Sequence, residues 1–518
     1  MFKKILIVSG LIFLGIIQIA GLTLAQSVDS QESASYLQAV INADEAIEAQ
    51  KSTIFDASLS FIPNPEREIK YEWDFGDGNR NEGLEVLHAY KDPGSYMVTL
   101  TINDGQDAST TEMEVFGYRK LIVLVSDQTE VKDRIEIIKN FAEKQGVYIK
   151  LLESFGSSTE FISEEILTKK MTEESSSIQK ANQIIIWTKE NAGLNSLSRY
   201  IQSNQKKITT NFSQKNITVL ESSIDRNVNR IQRQFEIIQP HSIIVAKEAV
   251  IYPAIESQDE EEFINTLQKG GYEYKVITEK TGRLLPWNFM SYFVNLLVNT
   301  GVPDNIIVLL LLLPVIATVV AFMKQIIGIT TFGIYTPSII TLSFLIIGMH
   351  AGLLTLAAAI SVGALMRLLL RKVRMLYVPK MAVVLTIVSL TLFLIIIASV
   401  YLHLFDAEFL SIAIFPMLIL STLVEKFVGV QTEKGLSSAS ILMAATVFVS
   451  LLAYFVVGGE VDLGFVAFKF EFIKNMIMSY PETVLLLIII NILLGKWSGL
   501  RILEKVRFRE VLRHIEEE

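Results

Sequence analysis

The sequence predicts a multidomain membrane protein: a β-sandwich, then an α/β domain with a mainly parallel sheet, then an all-α bundle of seven transmembrane helices. Three observations carry this. From about Asp304 onward the chain holds seven apolar runs, most near the ~20 residues a helix needs to cross the hydrocarbon core. Between Arg119 and Thr281, continuous apolar runs alternate with helical patterns. Before that, short alternating segments are separated by Asp-Gly turns.

Composition narrows the function classes. Of 518 residues, 50% are hydrophobic and 19% charged, below the roughly 25% of soluble domains. Length alone allows about three domains. The formal net charge of −9 gives no reason to expect nucleic acid. Without cysteine, disulfides, thiolate nucleophiles and cysteine-ligated metals are excluded. At the N-terminus, Lys3 and Lys4 precede the apolar run Ile5 to Ala20, and Thr23-Leu24-Ala25 offers small residues for cleavage. Residues 1–25 thus read as an export signal, cleaved after Ala25 or retained as a signal anchor.

The segment 41–116 contains Tyr71-Glu72-Trp73-Asp74-Phe75-Gly76-Asp77-Gly78, then His88-Ala89-Tyr90, then Gly94 to Thr101 and Asn103-Asp104-Gly105. Tyr96, Val98 and Leu100 alternate as in a strand, and the Asp-Gly pairs mark turns. This stretch resembles the PKD domain family. The resemblance implies an immunoglobulin-like sandwich used as an extracellular spacer or interaction module, with Trp73 in its core. Asp74, Asp77, Asn79 and Asp104 are calcium candidates; as turn carboxylates they would instead bond nearby backbone N–H groups, which is the preferred reading.

In the segment 119–281, Leu121 to Val125, Val147 to Leu151, Ile184 to Trp187, Ile217 to Leu220 and Ser242 to Val245 read as strands. Helical patterns such as Ile224 to Phe235 and Glu260 to Gln268 lie between them, which suggests a parallel sheet wrapped by helices. Such sheets bind ligands at the carboxyl ends of their strands. No glycine-rich phosphate loop follows the first strand, and Ser126 and Asp127 read as helix N-caps. His241 reads as structural or surface.

The spans are placed at 304–323, 332–348, 351–370, 381–401, 407–424, 439–458 and 483–499. Arg371, Lys372, Arg374 and Lys380 follow the third span, and Lys426 and Lys434 separate the fifth from the sixth. Arg501, Lys505, Arg507, Arg509 and Arg513 occupy the tail 500–518. Positive charge marks the cytoplasmic side. The expected location is the bacterial cytoplasmic membrane, with the N-terminal half outside and the C-terminus inside. The span centres hold no charged residue or histidine; Asn491 can hydrogen-bond to a neighbouring helix.

Gly328-Ile329-Thr330-Thr331-Phe332-Gly333-Ile334-Tyr335-Thr336-Pro337, Val378-Pro379-Lys380, Phe415-Pro416 through Glu425-Lys426, Glu433-Lys434-Gly435 and Arg501 through Arg509 together resemble the bacterial family of seven-helix membrane domains usually fused to an inactive transglutaminase-like domain. That family has no established activity, and the resemblance implies a link to ATP-grasp peptide ligases. Its motifs cluster at the cytoplasmic ends, making Lys324, Thr331, Arg371, Arg374, Lys380, Glu425, Lys426, Glu433 and Arg501 a candidate functional face.

No metalloprotease, nucleophile-elbow or phosphate-loop motif occurs. The expectation is a non-enzymatic, membrane-anchored binding, sensing or scaffold protein with a protein or peptide partner and no cofactor. The alternative is a transporter or channel for an uncharged or peptide-like solute.

Overall fold

A computed structural model describes residues 36–507 apart from 64–66, 158, 205–211, 223, 225–227, 279–288, 301, 371–372, 402–406, 463–466, 471, 498 and 500. The N-terminal signal, Arg371, Lys372 and the tail from 508 lie outside the described residues. Two compact units form, one up to Lys120 together with Ala142–Tyr148, the other from Leu121–Phe141 and from Ile149 onward.

The first unit is a β-sandwich. Strands β1 (Ala46–Glu48), β2 (Thr53–Asp56), β3 (Lys70–Asp74), β4 (Arg80–Glu82), β5 (Glu85–His88), β6 (Gly94–Asn103) and β7 (Ala108–Tyr118) form two sheets. One runs β1-β7-β6-β3-β4, the other pairs β2 with β5. Alternation turns Trp73 inward from β3, Val98, Leu100 and Ile102 from β6, and Phe55 from β2 into one core. The Trp73 indole donates to the Gly83 carbonyl at 2.9 Å, so its one polar atom is satisfied inside. Gly76 has φ +75°, and a Cβ there would lie 2.6 Å from the Met97 carbonyl oxygen, so only glycine fits the turn.

The second unit begins with an α/β sheet. Strands β8 (Lys120–Ser126), β9 (Val147–Glu153), β10 (Gln183–Trp187), β11 (Asn216–Leu220), β12 (Ser242–Ala246) and β13 (Tyr274–Ile277) take the order β13-β12-β11-β10-β8-β9. The pairs β8–β10, β10–β11 and β11–β12 are parallel; β13 is an antiparallel edge. Strands β10 and β12 are buried throughout, as expected of strands covered on both faces. Helices Glu160–Glu173, Ala192–Ser203 and Val228–Ile238 follow β9, β10 and β11. Each therefore begins at the carboxyl end of the strand before it.

The C-terminal region is helical. Four helices, Asp304–Ile327, Met349–Leu370, Val378–Ile397 and Pro416–Val456, are long and apolar enough to cross a membrane. Shorter apolar helices are Phe289–Val298, Tyr335–Ile347 and Thr483–Gly495. Some of these helices differ in length from the expected runs. The runs at 407–424 and 439–458 fall on two helices, which the non-helical backbone of Gly435 (φ +85°, ψ 171°) separates within Ala407–Val456. Tyr335–Ile347 spans only 13 residues, about 20 Å at 1.5 Å per residue. The Asn491 amide donates to the Thr318 hydroxyl at 2.7 Å, joining Thr483–Gly495 to Asp304–Phe322.

Candidate functional site

The first turns of the three α/β helices carry polar residues at i and i+4. These are Glu160 and Glu164, Asn191 and Asn195, and Arg230 and Gln234. The spacing puts each pair on one helix face. Because the helices all start at the carboxyl edge of the sheet, the three pairs converge there. The apolar helices close over them. Thr159, which caps the first helix, donates its hydroxyl to the Ile346 carbonyl at 2.6 Å. Ile162 and Ile166 join an apolar cluster with Ile340, Phe344, Leu420 and Tyr454.

A largely buried ion network lies within this junction, its side chains between 3% and 23% exposed. Lys474 sits 2.6 Å from a carboxylate oxygen of Glu160 and 2.6 Å from one of Glu190. Arg230 faces the same two carboxylates at 3.3 Å and 3.6 Å. Two cations and two anions therefore alternate. Lys474 comes from the short helix Phe472–Ser479 beside Thr483–Gly495, and the other three from the α/β domain. Arg233 adds a bond to the Met478 carbonyl at 3.0 Å. Glu164 is 1% exposed, and one of its oxygens accepts from the Asn195 amide at 2.6 Å.

These groups titrate away from their ordinary ranges. Burial, then Glu190, raises the Glu160 carboxyl against the pull of Lys474 and Arg230. Burial, then the charge of Glu160, pushes Glu164 well above its ordinary 4.5. A cavity of about 110 Å³ opens among Glu160, Glu164, Asn195, Arg230 and Lys474, and continues past Asn305 to Leu312, Leu345 and Tyr454.

Asp127 corrects the N-cap reading. One carboxylate oxygen accepts from the Lys189 backbone N–H at 2.7 Å and the other from the Ser163 hydroxyl at 3.2 Å. Burial raises its pKa to about 6. It ties the end of β8 to the loop after β10 and to the helix Glu160–Glu173. The Ser126 hydroxyl accepts a long bond from Gln128 N–H at 3.4 Å, and the following 3-10 turn has no side-chain cap. The His241 ring is largely exposed, 3.6 Å from Glu260.

The calcium candidates of the sandwich are engaged by protein donors. Asp74 accepts from Gly76 N–H at 3.1 Å and from Arg80 at 2.8 Å, and these hold its carboxyl low. Asp77 accepts from both the backbone and side-chain nitrogens of Asn79 at 3.0 Å and meets the His88 ring at 3.0 Å. Burial opposes its charge, and these bonds outweigh burial to keep its pKa below the ordinary value. Asp104 accepts from Asp107 N–H, Gln106 N–H and Arg67, which bring its carboxyl to about 2. Among the described residues no group of three or more His, Cys, Asp or Glu is placed to hold a metal ion.

The expected cytoplasmic-end residues meet only in part. Lys426 donates to the Thr336 hydroxyl at 2.9 Å, joining two of the motifs. Gly328, just beyond the turn that carries Lys324, packs under the Arg501 side chain. Thr331 donates to the Gly333 carbonyl at 2.7 Å. Arg374, Glu425 and Glu433 are exposed, Lys380 is half-buried, and Arg371 lies outside the described residues.

Comparison with known proteins decides the domains. Residues 38–116 match the PKD domain family. Residues 288–512 match the family of 7 transmembrane helices usually fused to an inactive transglutaminase. The chain joins a PKD domain to a domain of this seven-helix family. Both matches begin ahead of the boundaries expected at Ile41 and Asp304. Leu37 and Ala39 belong to the PKD core, and the seven-helix match takes in Phe289–Asn299. Collagenase ColA of Clostridium perfringens (strain 13 / Type A) is 32% identical over 105 residues. That is 20% of this chain and 9% of the collagenase, so the chain spans a small part of that relative. The solved PKD1 domain of the Vibrio cholerae metalloprotease PrtV is 26% identical, covering 16% of this chain and 95% of that one, at a TM-score of 0.14.

The PKD motif and the junction thus use acidic residues differently, and sequence reasoning found only the first. Glu160, Glu164, Glu190, Arg230 and Lys474 were missed. Lys474 reads as one charge in a mixed loop, yet it is buried against the α/β domain. The signal that could have found Glu160, Glu164 and Arg230 is the repeated i, i+4 polar pair at the start of the helices that follow β9, β10 and β11.

Proposed function

We propose that the chain is a membrane-anchored binding or sensing protein. Its PKD and α/β domains lie outside the cytoplasmic membrane of a bacterium. The seven-helix domain anchors them and relays the state of the α/β domain to a cytoplasmic partner. One observation carries the relay: the carboxyl edge of the α/β sheet, where such folds take ligands, meets the apolar helices through a buried, alternating ion network. A buried network of this kind has few good geometries, so a shift on one side is felt on the other. The basic loops after Leu370 and the basic tail support the orientation. An activity of its own is not part of this reading, in keeping with a family usually fused to an inactive transglutaminase.

The cysteine-free background allows a direct test. A single cysteine replacing Glu433 is labelled in membranes by an impermeant maleimide, with and without Lys474→Met. The relay predicts cytoplasmic-side labelling whose rate changes several-fold when the network is broken. An unchanged rate removes the relay, and labelling from outside inverts the topology. Solute flux through purified protein in liposomes would replace sensing with transport.

A further inference from the structure

Three residues that line the junction cavity keep buried polar atoms unmatched, acceptors as well as a donor. Glu164 and Asn305 each keep one buried oxygen without a hydrogen-bond partner among the described residues, and so does the Nε of Arg230. All three residues line the cavity, and all are more than nine-tenths buried. Buried groups of this kind are rarely left unmatched. The residues lining the cavity thus offer two acceptors and a donor. The ion network of Glu160, Glu190 and Lys474 forms one further part of its wall, and Val308, Leu312, Leu345 and Val457 form an apolar part.

That combination selects among ligand classes. A volume of about 110 Å³ exceeds the ~10–15 Å³ one water needs and is too small for a nucleotide. A phosphate dianion would face Glu160, Glu164 and Glu190. A bare metal ion would face Arg230 and Lys474, and no sufficient set of metal ligands occurs among the described residues. A molecule carrying an ammonium, a carboxylate and a short apolar group meets every requirement.

We propose that this cavity binds a small zwitterionic α-amino acid, with its ammonium on Glu164 and Asn305, its carboxylate on Arg230, and its side chain against Leu312 and Leu345. The proposal rests on the binding reading of the junction and names its ligand class. It also sets a pH dependence. Glu160 and Asp304 face Glu164 with like charge, Asn195 and Arg199 favour its ionised form, and Glu190, Arg230 and Lys474 complete the surroundings. The ligand ammonium needs Glu164 ionised, so binding releases a proton and tightens as pH rises.

The test is titration calorimetry on the full chain in nanodiscs with L-alanine, methylammonium and acetate. Alanine should bind saturably, at least tenfold tighter than either fragment, with a heat that varies with buffer ionisation in the sense of proton release. Glu164→Gln and Asn305→Ala should each weaken it at least tenfold, with unchanged circular dichroism. If Glu164→Gln fails to fold, Asn305→Ala alone decides. Absence of saturable heat, meaning water only, would overturn the proposal. So would acetate binding as tightly as alanine, or full affinity in both variants. A negative titration beside a positive labelling result with Lys474→Met removes the ligand and leaves the relay standing.

Discussion

In the PKD domain, Asp74, Asp77 and Asp104 take their bonds from nearby chain, the most distant partner being Arg67, 37 residues from Asp104. At the junction, Glu160 takes its partners from 70 and 314 residues away. The first arrangement shapes a turn and could form before the rest of the domain. The second exists only once α/β domain and helices have packed. Titration follows the same divide. Turn bonds lower the PKD carboxyls, whereas burial raises those of Glu160 and Glu164. Acid should therefore act first on the PKD domain, and rising pH on the junction.

Removing one member of the network is the strongest way to break this contrast. Lys474→Met leaves two buried carboxylates facing Arg230 alone, and losing one partner of a buried pair costs roughly 3–5 kcal/mol. Thermal unfolding in nanodiscs should show that loss in the α/β and helical region while the PKD domain keeps its midpoint. Within the PKD domain the corresponding break is steric. Gly76→Ala forces a Cβ at positive φ against the Met97 carbonyl, strain of about 1–3 kcal/mol, which denaturant unfolding would register.

Two carboxyl-to-amide changes sharpen the pH contrast with smaller effects. The raised pKa of Glu164 means the folded state holds more protons than the unfolded one above pH 4.5. Its contribution is therefore full below that pH and is lost as pH rises through the folded value. Glu164→Gln should flatten that decline in a series of melting curves; an unaltered slope would count against the assignment. Asp104, held at about 2 against an ordinary 3.8, has the opposite sign. Its stabilisation is present above pH 3.8 and is lost as pH falls towards 2. Asp104→Asn should remove a part of the acid sensitivity of the PKD domain and leave the junction unaffected.

How much was legible follows from the range of the interactions. Trp73, the Asp-Gly turns and the alternation in β6 act within a few residues, so the sandwich could be read directly. The strand runs at Leu121, Ile184 and Ser242 fall within β8, β10 and β12, because burial on both faces writes a continuous apolar run. The helix at Tyr335 begins after the expected 332 because Thr331 to Ile334 form a turn held by the Thr331 hydroxyl. Hydropathy does not register such a turn. The site was illegible as a set, since nothing in the sequence says that Lys474 will meet Glu160. Its polar i, i+4 pairs were visible, and their common position at helix starts was the part left unread.

The relay stands on the energetic coupling between Glu160 and Lys474, and a double-mutant cycle measures it. Glu160→Gln, Lys474→Met and the double variant are compared by thermal unfolding of the full chain in nanodiscs. Coupling predicts that the double variant loses clearly less stability than the two singles added together, by more than the ~0.5 kcal/mol within which independent sites add. Strict additivity would mean that the two side chains do not act on one another, and would contradict the account.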